Sequence, residues 1–165
     1  MFTEPRFQVV SIDEVPKDDL KVVAADKGGP VVLVADDEKV IADTLSSILS
    51  KSGFFAVAAY DGLSAFEVAK AIRPQLLITD VVMPKMTGIE LAQAVIRMIP
   101  DCKILLFSGQ AATADLLRKA EEDGYNFTTL FKPIYPADIL RRARAHFPEE
   151  EFREPELAGT ARRLG

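Results

Sequence analysis

Leu76-Leu77-Ile78-Thr79-Asp80-Val81-Val82-Met83-Pro84-Lys85-Met86-Thr87-Gly88 is the stretch whose reading decides the fold. It opens as a short apolar run containing Ile78 and Thr79, the pattern of a buried strand. The run stops at a carboxylate, Asp80. Pro84 and Gly88 then force a loop, and a new apolar period begins after them. A carboxylate at the end of a buried strand needs a partner or a cation. What gathers around Asp80 is therefore the question put to the rest of the chain.

The 165 residues amount to one domain with some length to spare, and 48% hydrophobic content is enough for a proper core. A net charge of −5 argues against a nucleic-acid surface. One cysteine, Cys102, excludes an internal disulfide framework and a cysteine-based zinc site. One histidine, His146, excludes a multi-histidine metal site. No apolar run is long enough to span a membrane, and the N-terminus lacks the basic-then-apolar pattern of a secretory signal. The expectation is a soluble cytoplasmic protein with no membrane partner.

Residues 1–29 read as an N-terminal extension, with one short strand among Phe7, Val9, Val10 and Ile12. Val31 to Ala35 is a strand, apolar on both faces, ending at Asp36-Asp37-Glu38. A helix follows with Ile41, Leu45, Ile48 and Leu49 on one side. Phe54 to Tyr60 is a second strand, and Asp61-Gly62 turns into a helix carrying Ala65, Val68, Ala69 and Ile72. The opening stretch is the third strand. Its helix carries Ala92, Val95, Ile96 and Ile99. Ile104 to Phe107 is a fourth strand ending at Ser108-Gly109. The helix after it, about Ala112 to Asp123, has the weakest apolar stripe. A fifth strand, Phe127 to Phe131, ends at Lys132-Pro133, and the last helix carries Ile139, Leu140, Ala143 and Phe147. Residues 148–165 keep no apolar period and read as a loose C-terminal tail.

Five strand–helix repeats argue for one parallel sheet with helices on both faces. Parallel strands present their C-terminal ends along one edge, where ligands of such sheets bind. Asp36 and Asp37, Asp80, Ser108 and Lys132 all fall at that edge. Three converging carboxylates repel one another, and one lysine does not balance them. A hard divalent cation does, and oxygen ligands suit Mg²⁺. Acids, a hydroxyl and an ammonium around a vacancy suggest a phosphoryl group, with Lys132 meeting one oxygen and Ser108 donating to another. Asp80 then becomes the nucleophile that accepts it as an acyl phosphate. Read singly, each motif has a plainer explanation: Asp36-Asp37 as a helix cap, Ser108-Gly109 as a turn, Lys132-Pro133 as a strand terminator.

From Pro30 to Phe147 these motifs, in this order, resemble the receiver domain of bacterial two-component response regulators. The resemblance implies a flavodoxin-like doubly wound sheet of five parallel strands in the order 2-1-3-4-5, with residues 30–147 as the receiver. It implies that Asp80 is the phosphoacceptor. Asp37 is then a direct Mg²⁺ ligand, Asp36 an indirect one through water, and the Val82 carbonyl a further one. Ser108 is the switch hydroxyl, Lys132 the phosphoryl's partner, and the Lys132–Pro133 bond is cis. The donor is a phosphohistidine on a sensor histidine kinase or phosphotransfer protein. The molecule is then a self-phosphorylating switch rather than an enzyme. With no recognisable output domain in the tail, the expectation is a stand-alone receiver. Its output goes to an unnamed protein through the fourth helix, fifth strand and fifth helix, and a homodimer stays open.

Two positions depart from the family's pattern. Thr129 stands where many receivers carry an aromatic residue three positions before the lysine, with Phe127 and Phe131 flanking it. Val82, two past the acceptor, cannot position a water, which implies a long-lived acyl phosphate. Other readings are weaker. An aspartate-nucleophile phosphatase wants a second acid at position 82. A flavodoxin-like nucleotide binder wants an anion-binding loop where Asp36-Asp37-Glu38 stands. A phosphate-independent receiver-like scaffold is separated from a working receiver only by assay.

Overall fold

The computed structural model describes residues 10–11, 28–109 and 113–152. The described residues form six parallel strands and five α-helices, strand and helix alternating from Val31 onward. They run β1 (Val10–Ser11), β2 (Val31–Ala35), α1 (Lys39–Lys51), β3 (Phe55–Ala59), α2 (Gly62–Ile72), β4 (Leu76–Asp80), α3 (Gly88–Met98), β5 (Lys103–Ser108), α4 (Ala114–Glu122), β6 (Thr128–Phe131) and α5 (Pro136–Arg144). The sheet order is β1-β3-β2-β4-β5-β6. Counted from Val31, the five strands follow the expected 2-1-3-4-5. The addition is β1, which pairs with Val57 and Ala58 along the outer edge of β3. Phe7, Val9 and Ile12 lie outside the described residues.

The central strands are apolar along most of their length because both of their faces are covered. Val32, Val34, Leu76, Ile78, Leu105 and Phe107 face one core with Leu45 and Leu49 of α1 and Ile139 and Ala143 of α5. Leu33, Ala35, Leu77, Ile104 and Leu106 face the other, with Val68 of α2, Leu91 and Val95 of α3 and Ala120 of α4. The period-two alternation of a strand thus splits each run between two helical layers. Helix α4 buries only Ala120, which matches its thin apolar stripe.

Local chemistry sets the helix starts. Asp61 caps α2 by accepting from the Ser64 N–H at 2.8 Å, and Thr87 caps α3 by accepting from the Glu90 N–H at 3.1 Å. Helix α1 begins after Glu38 without a side-chain cap. The acids before it are therefore not there as its cap.

The expected loose tail starts differently. Glu149–Phe152 forms a 3₁₀ turn. The Phe152 ring packs edge-on against Phe54 at 4.8 Å and Phe147 at 6.2 Å, with the Arg144 guanidinium 4.4 Å from its centre. Apolar contact and a cation over the ring hold a segment whose sequence is almost wholly acidic. Residues 153–165 of the tail lie outside the described residues. No helix among the described residues is long and apolar enough to cross a membrane.

Candidate functional site

The ends of β2 and β4 bring the acids together. Asp36 follows β2 directly, and its N–H donates to the Ala59 carbonyl at the end of β3 at 3.1 Å. Asp80 closes β4 in register with Phe107 of β5. One carboxylate oxygen from each of Asp36, Asp37 and Asp80 lies within 4.8 Å of the others. Asp36 and Asp80 are buried, and Asp37 is exposed at the rim. Asp61, the other acid near this edge, belongs to a separate group: it accepts from both the N–H and the hydroxyl of Ser64 and lies 3.9 Å from Lys85.

Lys132 arrives from the end of β6, where its N–H donates to the Ser108 carbonyl at 2.9 Å. Its ammonium stands 3.4 Å from Asp80 Oδ2 and 3.9 Å from Asp36 Oδ2. The Lys132–Pro133 peptide bond is cis. Ser108 ends β5 and is buried, its hydroxyl hydrogen-bonded to that of Thr113. Val82 lies in the loop after β4 with its side chain 56% exposed. Thr129 is half-buried on β6.

The electrostatics are under-compensated. Burial, helped by the nearby charges of Asp80 and Asp37, pushes the Asp36 carboxyl up to about 6, although the Glu38 N–H and Lys132 pull it down. Burial also raises Asp80, against the pull of Lys132. Asp36 Oδ1 accepts from Glu38 N–H at 2.9 Å, while its Oδ2 has no hydrogen-bond partner. A buried carboxylate oxygen in that position, aimed into a cluster of hard oxygen donors, fits a Mg²⁺ ligand set. Outside the site, burial pushes the Cys102 thiol up to about 12, so it stays a protonated, unreactive thiol.

Residues 32–144 match the family model described as the response regulator receiver domain. The chain belongs to the response regulator receiver domain family. Response regulators of this kind work in two-component systems, paired with histidine kinases, mostly as signalling switches. Among the relatives is the probable transcriptional regulatory protein TcrX of Mycobacterium tuberculosis, 33% identical over 72% of this chain and 50% of its own length. Another is the alkaline phosphatase synthesis transcriptional regulatory protein PhoP of Bacillus subtilis, 30% identical over 78% of this chain and 55% of its own. The chain spans about half the length of these relatives. Among solved structures, the chemotaxis protein CheY4 of Vibrio cholerae superposes with a TM-score of 0.63 at 27% identity, covering 72% of this chain and 99% of that one.

The structure brings together Asp36, Asp37, Asp80 and Lys132, and sets Ser108 at the next strand end. Thr113 was not singled out from the sequence. A hydroxyl just ahead of a helical period reads as an ordinary cap, and only the fold reveals its contact with Ser108.

Proposed function

We propose that this receiver is charged on Asp80 by a phosphohistidine of a sensor kinase or phosphotransfer protein. An Asp80 carboxylate oxygen attacks phosphorus, the phosphorus–nitrogen bond breaks, and the departing imidazole nitrogen takes up a proton. Lys132 pairs with one phosphoryl oxygen and Ser108 donates to another. Asp36, Asp37, Asp80 and the Val82 carbonyl hold Mg²⁺. When bound, the metal supplies the positive charge that the carboxylates and the incoming phosphoryl group together demand. The observation that carries this reading is the approach of the three carboxylates to within 4.8 Å with Lys132 3.4 Å from Asp80.

Phosphorylation then biases the face made by α4, β6 and α5 toward an output protein. That face carries two aromatic side chains in water, Phe131 and Tyr135, each 70% exposed. Exposed aromatics at this density suit a protein partner. The test is incubation with acetyl phosphate and Mg²⁺, read by intact mass. One added phosphoryl group that fails to form when the metal is chelated before the phosphodonor is added supports the reading. An unchanged mass in a folded, metal-loaded sample overturns it.

A further inference from the structure

Ser108 and Thr113 are both almost fully buried, at 1% and 2% exposure, and their hydroxyls are hydrogen-bonded to each other. The Ser108 backbone is fixed by the sheet, pairing with Phe131 and accepting from the Lys132 N–H. Its remaining freedom is rotation about χ1. Thr113 stands at the N-cap position of α4, where a threonine hydroxyl ordinarily accepts from the helix's own first N–H groups. It makes no side-chain cap bond there and meets Ser108 instead. Both residues border a cavity of about 430 Å³ shared with Leu117, Phe131 and Lys132. Asp36, Asp37 and Asp80 do not line that cavity.

We propose that Thr113 is a positioning residue, a latch that holds the Ser108 hydroxyl on the α4 side until a phosphoryl group competes for it. The inference rests on Ser108 meeting the phosphoryl group on Asp80. Whichever of the two hydroxyls donates in the pair, one rotation about χ1 of Ser108 takes its oxygen away from Thr113. In the resting protein the Ser108–Thr113 bond satisfies both buried hydroxyls. In the charged protein Ser108 donates to an anionic oxygen, a stronger bond, and the Thr113 hydroxyl is released beside the opening turn of α4. The exchange links the charge on Asp80 to the helix that borders the output face. Valine at 113 keeps the threonine outline but leaves Ser108 unsatisfied in the resting state alone, so it shifts the balance toward the charged state.

The probe is beryllofluoride, a phosphoryl mimic, titrated with Mg²⁺ into wild type, Thr113→Val, Thr113→Ala and Thr113→Ser. Each is also made in a Ser108→Ala background, and binding is followed by amide resonances. The half-saturating concentration falls roughly three- to tenfold for Thr113→Val or Thr113→Ala, the equivalent of one neutral hydrogen bond, and Thr113→Ser restores the wild-type value. In the Ser108→Ala background the difference between Thr113 and its variants vanishes. A residue that merely supports the fold lowers thermal stability without moving the half-saturating concentration, and that result overturns the latch. So does a gain that persists without Ser108. A wild type that binds no beryllofluoride removes the phosphoacceptor reading and the latch with it, whereas wild-type binding with unaltered variants removes the latch alone.

Discussion

The α-carbon of Gly88 lies directly against the backbone of Asp80: a β-carbon at position 88 would stand 1.9 Å from the Asp80 carbonyl oxygen. That carbonyl also accepts from Thr79 Oγ1 at 2.9 Å, and the Gly88 N–H donates to the Val81 carbonyl at 2.8 Å. The strand end and the first turn of α3 are thus locked together at Asp80. The atom in the way is backbone and cannot rotate aside. Gly88→Ala is expected to cost about 3 kcal/mol or more, near the upper end for overpacking. Urea unfolding measures it, and a loss under 1 kcal/mol would mean the loop yields freely.

Asp36 is a buried acid whose carboxyl is pushed up to about 6 from an unfolded value of 3.8. A carboxyl raised on folding favours the folded state while protonated. Stability is therefore highest below the unfolded value, falls as pH rises from about 4 to about 6, and carries the full penalty above that. Asp36→Asn keeps an oxygen for the Glu38 N–H and removes the charge. In metal-free buffer at neutral pH the variant is expected to be more stable than wild type, by an amount on the order of 2 kcal/mol. The advantage should shrink through pH 6 and vanish near pH 4. Melting temperatures across that range check it, and an advantage independent of pH contradicts it.

Lys132 is the cation that the described structure sets against Asp36 and Asp80, at 3.9 Å and 3.4 Å. It repels any second cation brought to the same acids. Lys132→Met is expected to tighten Mg²⁺ binding about tenfold, as removal of a like charge a few ångströms away should. It should also slow adduct formation from acetyl phosphate by a factor of about ten or more, since a phosphoryl oxygen loses its partner. Metal titration and time-resolved intact mass give the two numbers. Weaker metal binding in the variant would place the ammonium outside the metal's field.

Val82, two residues past Asp80, presents an apolar, exposed side chain. It offers no hydrogen bond to a water approaching the acyl phosphate. Val82→Asn supplies one, and the adduct is expected to decay several-fold faster than in wild type under the same Mg²⁺. Equal or slower decay in the variant removes position 82 from control of lifetime.

Much of this was legible in the chain because two periodicities do not overlap. Val31 to Ala35 and Leu76 to Asp80 read as doubly covered strands, and the crossover rule then forces their ends to one edge. Asp36, Asp37, Asp80, Ser108 and Lys132 followed from that edge alone. Strand β1, Val10–Ser11, falls within the short strand read among Phe7, Val9, Val10 and Ile12, although its place beside β3 was not written there. Two features were not legible. The Phe152 turn depends on Phe54 and Phe147, which approach it only in the folded chain. The Thr113 contact depends on a rotamer and on where α4 starts, and neither is written in spacing. The acids were readable because charge at a buried strand end is rare, whereas a threonine before a helix is common.

The central claim is that Asp80, rather than Asp36 or Asp37, carries the phosphoryl group. Borohydride reduces an acyl phosphate to an alcohol, turning a phosphorylated aspartate into homoserine. The protein is treated with acetyl phosphate and Mg²⁺, reduced, and mapped by peptide mass spectrometry. The account predicts homoserine at position 80 and at no other acid. Homoserine at 36, 37 or 61, or none in a sample whose intact mass shows the adduct, would contradict it.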